Sequence, residues 1–168
     1  IEIDYDKKYF KPIKNKYWQP SSFIDDKEFS EDEFFNFFHQ SVEKRLISDV
    51  PVASFLSGGL DSTSIVKSLS DSGHELNTFS VITDNNKINE KKYIDNVVQK
   101  YKTNHIEIEV GSSISNDSVY ESLNSLDEPY GDPSIVPTYL LSNLISSNYK
   151  VALSGDGGDE LLGGYERM

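Results

Sequence analysis

Val52-Ala53-Ser54-Phe55-Leu56-Ser57-Gly58-Gly59-Leu60-Asp61-Ser62-Thr63 is the stretch on which the reading of this chain turns. Val52 to Leu56 reads as a buried strand, and it runs without a spacer into Ser57-Gly58-Gly59. A helix follows, with Ile65, Val66 and Leu69 spaced to face inward and Gly73 placed to end it. Two adjacent glycines clear side chains from a place where backbone amides must approach a ligand. Amides at a helix N-terminus point outward with partial positive charge, which favours phosphate or pyrophosphate. Ser57, Ser62 and Thr63 add hydroxyl donors. Asp61 suits an anion site only with a metal between carboxylate and phosphate, and Mg²⁺ takes one or two carboxylates together with substrate oxygens and water. The loop lacks G-K-[ST], so no lysine of the Walker type reaches a terminal phosphate. The plainer alternative is a strand-to-helix turn in which Asp61 or Ser62 only caps the helix.

The alternation continues outward from this unit. Leu76 to Ile82 reads as a second strand, and Ile94, Val97, Val98 and Tyr101 mark an amphipathic helix. His105 to Val110 alternates polar and apolar residues, as a half-exposed edge strand does. A helix over about 117–127, a Pro-containing loop from Asp127 to Pro133 and a helix over about 135–147 come next. Lys150 to Leu153 is a last strand, ending in Ser154-Gly155-Asp156-Gly157-Gly158. The expected fold class is α/β, a parallel sheet of about five strands with helices on both faces. Ligands of such sheets sit at the carboxyl ends of the strands, where both glycine-rich turns lie.

Upstream, Ser30-Glu31-Asp32-Glu33 fits a capping box. Phe34, Phe38, Val42 and Leu46 then follow at near-helical spacing, with Phe35 and Phe37 expected to broaden the stripe, and Pro51 ends this helix or opens the next element. Residues 1–29 carry Tyr5, Tyr9, Phe10, Tyr17 and Trp18 among charges and prolines. They read either as an extended segment completing a core or as an arm docking another domain.

Composition narrows the function. With 16 Lys plus Arg against 28 Asp plus Glu, the 168 residues carry a net charge of -12, which disfavours nucleic-acid backbones. A small nucleotide held on backbone amides and a metal remains compatible with that charge. There is no cysteine, hence no disulfide, thiolate metal site or Cys nucleophile. No apolar run reaches membrane-spanning length and the N-terminus is not a signal peptide, so a cytoplasmic domain without membrane partners is expected. His39, His74 and His105 share no ligand spacing, and no G-x-S-x-G elbow is present.

A second loop carries acid. Asp156, Asp159 and Glu160 lie among glycines in Ser154-Gly155-Asp156-Gly157-Gly158-Asp159-Glu160-Leu161-Leu162-Gly163-Gly164-Tyr165. Such a cluster can hold the metal that accompanies ATP, take a proton from an amine nucleophile, or simply be a solvated acidic turn at a helix start.

The Ser57–Ser62 run, preceded by Ser48-Asp49-Val50-Pro51-Val52, resembles the pyrophosphate loop of N-type ATP pyrophosphatases. The Ser154–Tyr165 run, and Asp127-Glu128-Pro129-Tyr130-Gly131-Asp132-Pro133-Ser134 with Pro137-Thr138-Tyr139-Leu140, are similar to further signatures of the glutamine-hydrolysing asparagine synthetases. The likeness is collinear from about Tyr9 to the end. It implies an adenine nucleotide alpha-hydrolase-like fold and a ligase that forms carbon–nitrogen bonds. Aspartate would be adenylated by ATP with release of pyrophosphate, and ammonia would then displace AMP to give asparagine.

By that resemblance Ser57, Gly58, Gly59, Asp61, Ser62 and Thr63 hold the pyrophosphate end of ATP, with Asp61 and Asp159 as Mg²⁺ ligands. Leu56 and Val81 match positions that contact the adenosine, and Ser154 and Gly155 a further nucleotide-binding pair. Asp156 matches an acidic position proposed as a proton acceptor, where several members have the longer Glu. Asp127, Glu128 and Asp132 match a loop on the substrate side without an assigned contact. The family's ammonia comes from an N-terminal glutaminase domain with a Cys nucleophile, which this chain does not contain. Residues 1–29 resemble the linker that follows it, and 30–168 a synthetase domain truncated before its catalytic lysine. An incomplete catalyst drawn from a longer parent is therefore expected, and the resemblance leaves a homodimer of that parent open. Two alternatives stay open: an adenylating amide ligase for another carboxylate, such as a peptide cyclase or tailoring enzyme, and a non-catalytic nucleotide-binding module.

Overall fold

The computed structural model describes residues 15–23, 28–83, 90–110, 114–129 and 131–165. The chain divides into two units, Ile1–Phe34 and Phe35–Met168. In the first, Pro20–Phe23 form a single 3-10 turn, and Ser30 opens helix α1 (Glu31–Arg45). The Ser30 hydroxyl accepts the Glu33 amide at 3.3 Å, which is the capping bond expected from the sequence. The Phe29 and Phe34 rings stand 6.0 Å apart, and Tyr17 is fully exposed. Tyr5, Tyr9 and Phe10 lie outside the described residues.

The second unit alternates strand and helix. Its elements are β1 (Val52–Phe55), α2 (Leu60–Asp71), β2 (Asn77–Thr83), α3 (Lys91–Tyr101), β3 (Asn104–Val110), α4 (Asn116–Asn124), α5 (Ile135–Ile145), β4 (Val151–Leu153) and α6 (Gly158–Leu162). Among the described residues the strands form one four-stranded sheet in the order β3-β2-β1-β4, against about five strands expected. Every pairing is parallel; Ser54 stands opposite both Thr78 and Leu153. The alternating segment His105–Val110 is an edge strand, as its pattern suggests.

Two apolar layers enclose the sheet. On one face Leu56 and Leu76 meet Val42 of α1, Ile65, Val66 and Leu69 of α2, and Ile94 and Val97 of α3. On the other, Ala53 and Phe79 meet Leu141 and Ile145 of α5, with the Tyr149 ring edge-on to Phe79 at 5.3 Å. Gly73 adopts φ 73° beyond α2, a left-handed conformation that ends the helix at no steric cost. The broad stripe expected on α1 is narrower. Phe38 and Leu46 pack against the first layer around Val42, whereas Phe35 and Phe37 are each 61% exposed. Phe37 is turned about 100° from Phe38, and Phe35 precedes the stretch of α1 that meets the layer.

This arrangement creates a switch point. The path from β1 through α2 to β2, and through α3 to β3, covers one face and moves outward in one direction. The path through α5 covers the opposite face and returns to the far side of β1 as β4. Right-handed crossovers on opposite faces require this reversal, and in open α/β sheets the ligand crevice lies outside the carboxyl ends of the strands at such a point, here those of β1 and β4.

An imidazole lies among the buried hydroxyls of the first face. The His105 side chain is 8% exposed. Its Nδ1 lies 2.9 Å from the Thr78 hydroxyl, which is 2.8 Å from that of Thr103. Its Nε2 is buried without a hydrogen-bond partner. Burial therefore holds the imidazole below its ordinary range, against the smaller opposing pull of Glu107.

Two outcomes follow for stability. Ile94→Ala, at a fully buried position, should cost about 2–5 kcal/mol, whereas Phe37→Ala should stay within about 0.5 kcal/mol. Denaturant midpoints compared at constant m-value check this contrast. The unfolded chain protonates its histidine near 6.5, before the folded chain protonates His105. Stability is therefore complete above about pH 6.5 and is lost as pH falls through the lowered folded value. Unfolding curves at pH 7.5 and 5.5 should show that loss, and His105→Gln should reduce it.

Candidate active site

Both glycine turns emerge at the crevice. After β1, the Leu56 amide donates to the Phe79 carbonyl at 2.8 Å, and the Ser80 hydroxyl donates to the Leu56 carbonyl. These bonds fasten the end of β1 to β2 just before the chain turns. Gly58 then takes φ 80°, and a methyl group there would stand 2.9 Å from the Tyr93 Cβ and 3.1 Å from the Ile94 nitrogen. Only glycine lets the turn seat against the first turn of α3.

The loop is held from within by two serines. Ser62 Oγ accepts the Ser57 amide at 3.2 Å, and the two hydroxyls lie 3.0 Å apart. Ser57 Oγ accepts the Gly59 amide at 3.3 Å. Gly59 is the N-cap of α2, and no side chain caps that end. Ser62 Oγ also lies 3.3 Å from the Gly59 carbonyl, and neither Asp61 nor Ser62 accepts an amide of α2. At the start of this 12-residue helix the Leu60 and Asp61 amides have no side-chain acceptor.

Asp61 turns toward the second loop instead. A methyl group at Gly158 would lie 2.5 Å from the Asp61 carboxyl carbon and 2.6 and 2.8 Å from its oxygens. At Gly155 it would meet the Asp61 Cβ at 2.9 Å and the Ser62 nitrogen at 3.0 Å. The Asp61 carboxylate therefore rests on the backbone of Gly155–Gly158, and the loops after β1 and β4 are interlocked.

The rest of the second loop is a tight turn. The Gly158 amide donates to the Gly155 carbonyl at 3.2 Å, and Gly157 has φ 94°. The Ser154 hydroxyl donates to Asp156 Oδ2 at 2.8 Å, and Asp156 is exposed. Asp159 lies in the first turn of α6, and its carboxylate is folded against Gly164. The Tyr165 hydroxyl donates to Glu160 at 2.8 Å; this bond pushes the phenol up to about 12 and holds the Glu160 carboxyl below its ordinary value. Among the described residues no three acidic or imidazole side chains are preassembled around a metal position.

A cleft of about 390 Å³ opens beside the first loop, lined by Ser57, Gly58, Gly59, Leu60, Glu90 and Tyr93. Burial raises the Glu90 carboxyl above its ordinary value. Glu90, Tyr93 and Ser80 were not singled out from the sequence: Glu90 and Tyr93 open an amphipathic helix, and Ser80 sits in a strand, with nothing local to mark them. Of the remaining expected residues, Thr63 lies in the first turn of α2 and Leu56 is buried in the first layer. Val81 packs on the opposite layer, away from the side on which Leu56 packs. In the Asp127–Pro133 loop, Asp132 accepts the Ser134 amide at 2.9 Å, which holds its carboxyl below the ordinary value and shapes the start of α5.

Comparison with known proteins places this geometry among relatives. The family model described as asparagine synthase matches residues 34–168. A putative glutamine-hydrolysing asparagine synthetase 2 of Methanocaldococcus jannaschii is 37% identical over 168 residues, covering 97% of this chain and 32% of that protein. Glutamine-hydrolysing asparagine synthetase 1 of Bacillus subtilis is 37% identical over 132 residues, covering 76% of this chain and 20% of that protein. The chain thus spans about a third and a fifth of the lengths of these relatives. Among solved structures, NMN synthetase from Francisella tularensis superposes with a TM-score of 0.57 at 16% identity, over 82% of this chain and 59% of that one. NH3-dependent NAD synthetase from Campylobacter jejuni gives 0.53 at 16% identity, over 82% and 61%. These two show a shared adenine nucleotide alpha-hydrolase-like fold.

The glycine contacts separate by what they would push. Gly58→Ala should destabilise by about 2–4 kcal/mol, because a Cβ would press on the Tyr93 Cβ and the Ile94 nitrogen, atoms fixed to the α3 backbone, and a positive φ is required. Gly158→Ala meets only the Asp61 carboxylate, so it should cost less in thermal unfolding while displacing that side chain.

Proposed function

This chain belongs to the asparagine synthase family, and we propose that it binds ATP with Mg²⁺ at the two interlocked loops and serves amide formation through an adenylated carboxylate. The observation that carries the reading is the Asp61 side chain lying against Gly155 and Gly158, where no Cβ would fit, beside an α2 N-terminus without a side-chain cap. A loop built to satisfy itself would cap that helix. This one leaves its amides open and places a carboxylate next to them, which is the donor set of a metal-bound polyphosphate.

The residues present fit that ligand. Gly58 and Gly59 carry no Cβ, the former because Tyr93 and Ile94 fill its place, and Ser57, Ser62 and Thr63 supply hydroxyls to the loop. Asp61 is the carboxylate for Mg²⁺, with Asp159 as the proposed second; Mg²⁺, when bound, neutralises charge on the departing pyrophosphate. Leu56, Val81, Ser154 and Gly155 are the proposed walls for the rest of the nucleotide.

In the proposed reaction a substrate carboxylate oxygen attacks the α-phosphorus, the α–β bond breaks, and pyrophosphate leaves toward the α2 amides. These oriented dipoles stabilise the charge as it develops, without reorganising. Ammonia then adds to the acyl-adenylate carbonyl, and AMP departs with the electron pair of the former acyl C–O bond. Asp156, exposed at the end of β4, is the proposed acceptor of the proton that nitrogen sheds. Aspartate as the carboxylate and a glutamine-derived ammonia supply are part of the proposal, as the names of the relatives suggest. Among the described residues no helix is long and apolar enough to cross a membrane.

Saturating ATP with Mg²⁺ should raise the melting temperature by about 5 °C, and Asp61→Asn should remove most of that gain. Absence of any shift at millimolar ATP would overturn the reading. Release of AMP by a protein of the relatives' full length carrying this stretch, with aspartate and ammonia against other carboxylic acids, decides the acceptor.

A further inference from the structure

We propose that Lys91, Glu107 and His105 are positioning residues that form a strut setting the first turn of α3, and with it the Glu90–Tyr93 wall of the nucleotide cleft. The inference rests on the reading of that cleft as an ATP site. None of the three residues touches the glycine loops. They act on the turn that touches them.

The connection is physical at each joint. The Lys91 ammonium donates to both Glu107 oxygens, at 2.6 and 2.7 Å, and so ties the start of α3 to edge strand β3. Such a charge-assisted pair is stronger than a single neutral bond. Glu90, the neighbouring residue, lines the cleft, and its carbonyl accepts the Tyr93 and Ile94 amides at 2.9 and 3.0 Å. Tyr93 and Ile94 are the residues that Gly58 packs against. A shift of this turn therefore reaches the phosphate-facing glycine through van der Waals contact.

His105 sets the charge balance of the strut. Its Nε2 is buried, has no hydrogen-bond partner and lies 3.8 Å from Glu107 Oε1. The groups facing it are Glu107 on its own strand, Lys91 and Asp95 from α3, Thr78 from β2, and Thr103 through the Thr78 hydroxyl. Asp95 lies 3.5 Å from Lys91 and offers the ammonium an alternative partner. With His105 neutral, Glu107 belongs to Lys91. With His105 protonated, the imidazolium competes for Oε1, Lys91 is drawn toward Asp95 one turn further along α3, and the first turn loosens. Burial keeps the neutral form dominant near neutral pH, so the strut is engaged there and released on acidification.

The test compares wild type, His105→Gln, Lys91→Met and Lys91→Arg at pH 7.5 and 5.5. Calorimetric titration with ATP and Mg²⁺ gives affinity, and hydrogen exchange at the Tyr93 and Ile94 amides reports on the turn. The γ-phosphate titrates identically for every variant, so it cancels in the comparison. Wild type should bind about fivefold more weakly at pH 5.5 and lose protection at both amides once the pH dependence of intrinsic exchange is divided out, within the usual range of coupling between sites. His105→Gln should be tight and protected at both pH values, Lys91→Met weak and poorly protected at both, and Lys91→Arg should restore the wild-type response. A purely structural role would not give opposite pH-independent states in two variants. Wild-type pH responses in both His105→Gln and Lys91→Met would overturn the proposal. If His105→Gln does not fold, the two partly exposed Lys91 variants decide it. If wild type binds no ATP, the proposed function fails, while amide exchange at Tyr93 and Ile94 still judges the strut.

Discussion

A carboxylate lying on bare backbone organises this protein. Asp61 projects from the first turn of α2 onto Gly155–Gly158, and no side chain other than hydrogen would leave it room. That contact joins loops separated by nearly a hundred residues of sequence. It brings two strand-to-helix turns into contact, with a helix start that lacks a side-chain cap in one and an acidic turn in the other.

The sheet makes the contact possible. With β4 paired to β1 in parallel, and Ser54 level with Leu153, both loops leave the same edge of neighbouring strands. Helices α2 and α3 lie on one face and α5 on the other, so the connections diverge from neighbouring strands. The small hydroxyl side chains of Ser54, Thr78 and Ser80 are fully buried along the first face. They let helices approach the sheet closely, and Ser80 also fastens the end of β1.

Much of the fold is legible in local pattern. The helices and strands fall where apolar periodicity places them, because each buries one face and the period records it. Ser30 caps α1 and Gly73 ends α2 for reasons contained in single residues. The reading of α1 is too generous, since periodicity cannot tell how much of a helix its partner covers. The site is legible as two glycine-rich runs. Its walls are not, because Glu90, Tyr93 and Ser80 acquire meaning only from what stands opposite them.

The order of the residues by itself determined the alternation of strand and helix, the glycine turns that admit close approach, and the membership of a family whose signatures span most of the chain. Those are properties of short segments, set by backbone freedom, capping and burial period. Only the tertiary structure decided that Asp61 meets the second loop, that Asp159 folds against Gly164, and that α3 seats on Gly58. Each depends on strand order and on which face a helix covers, and these follow from long-range packing that no local window of sequence contains.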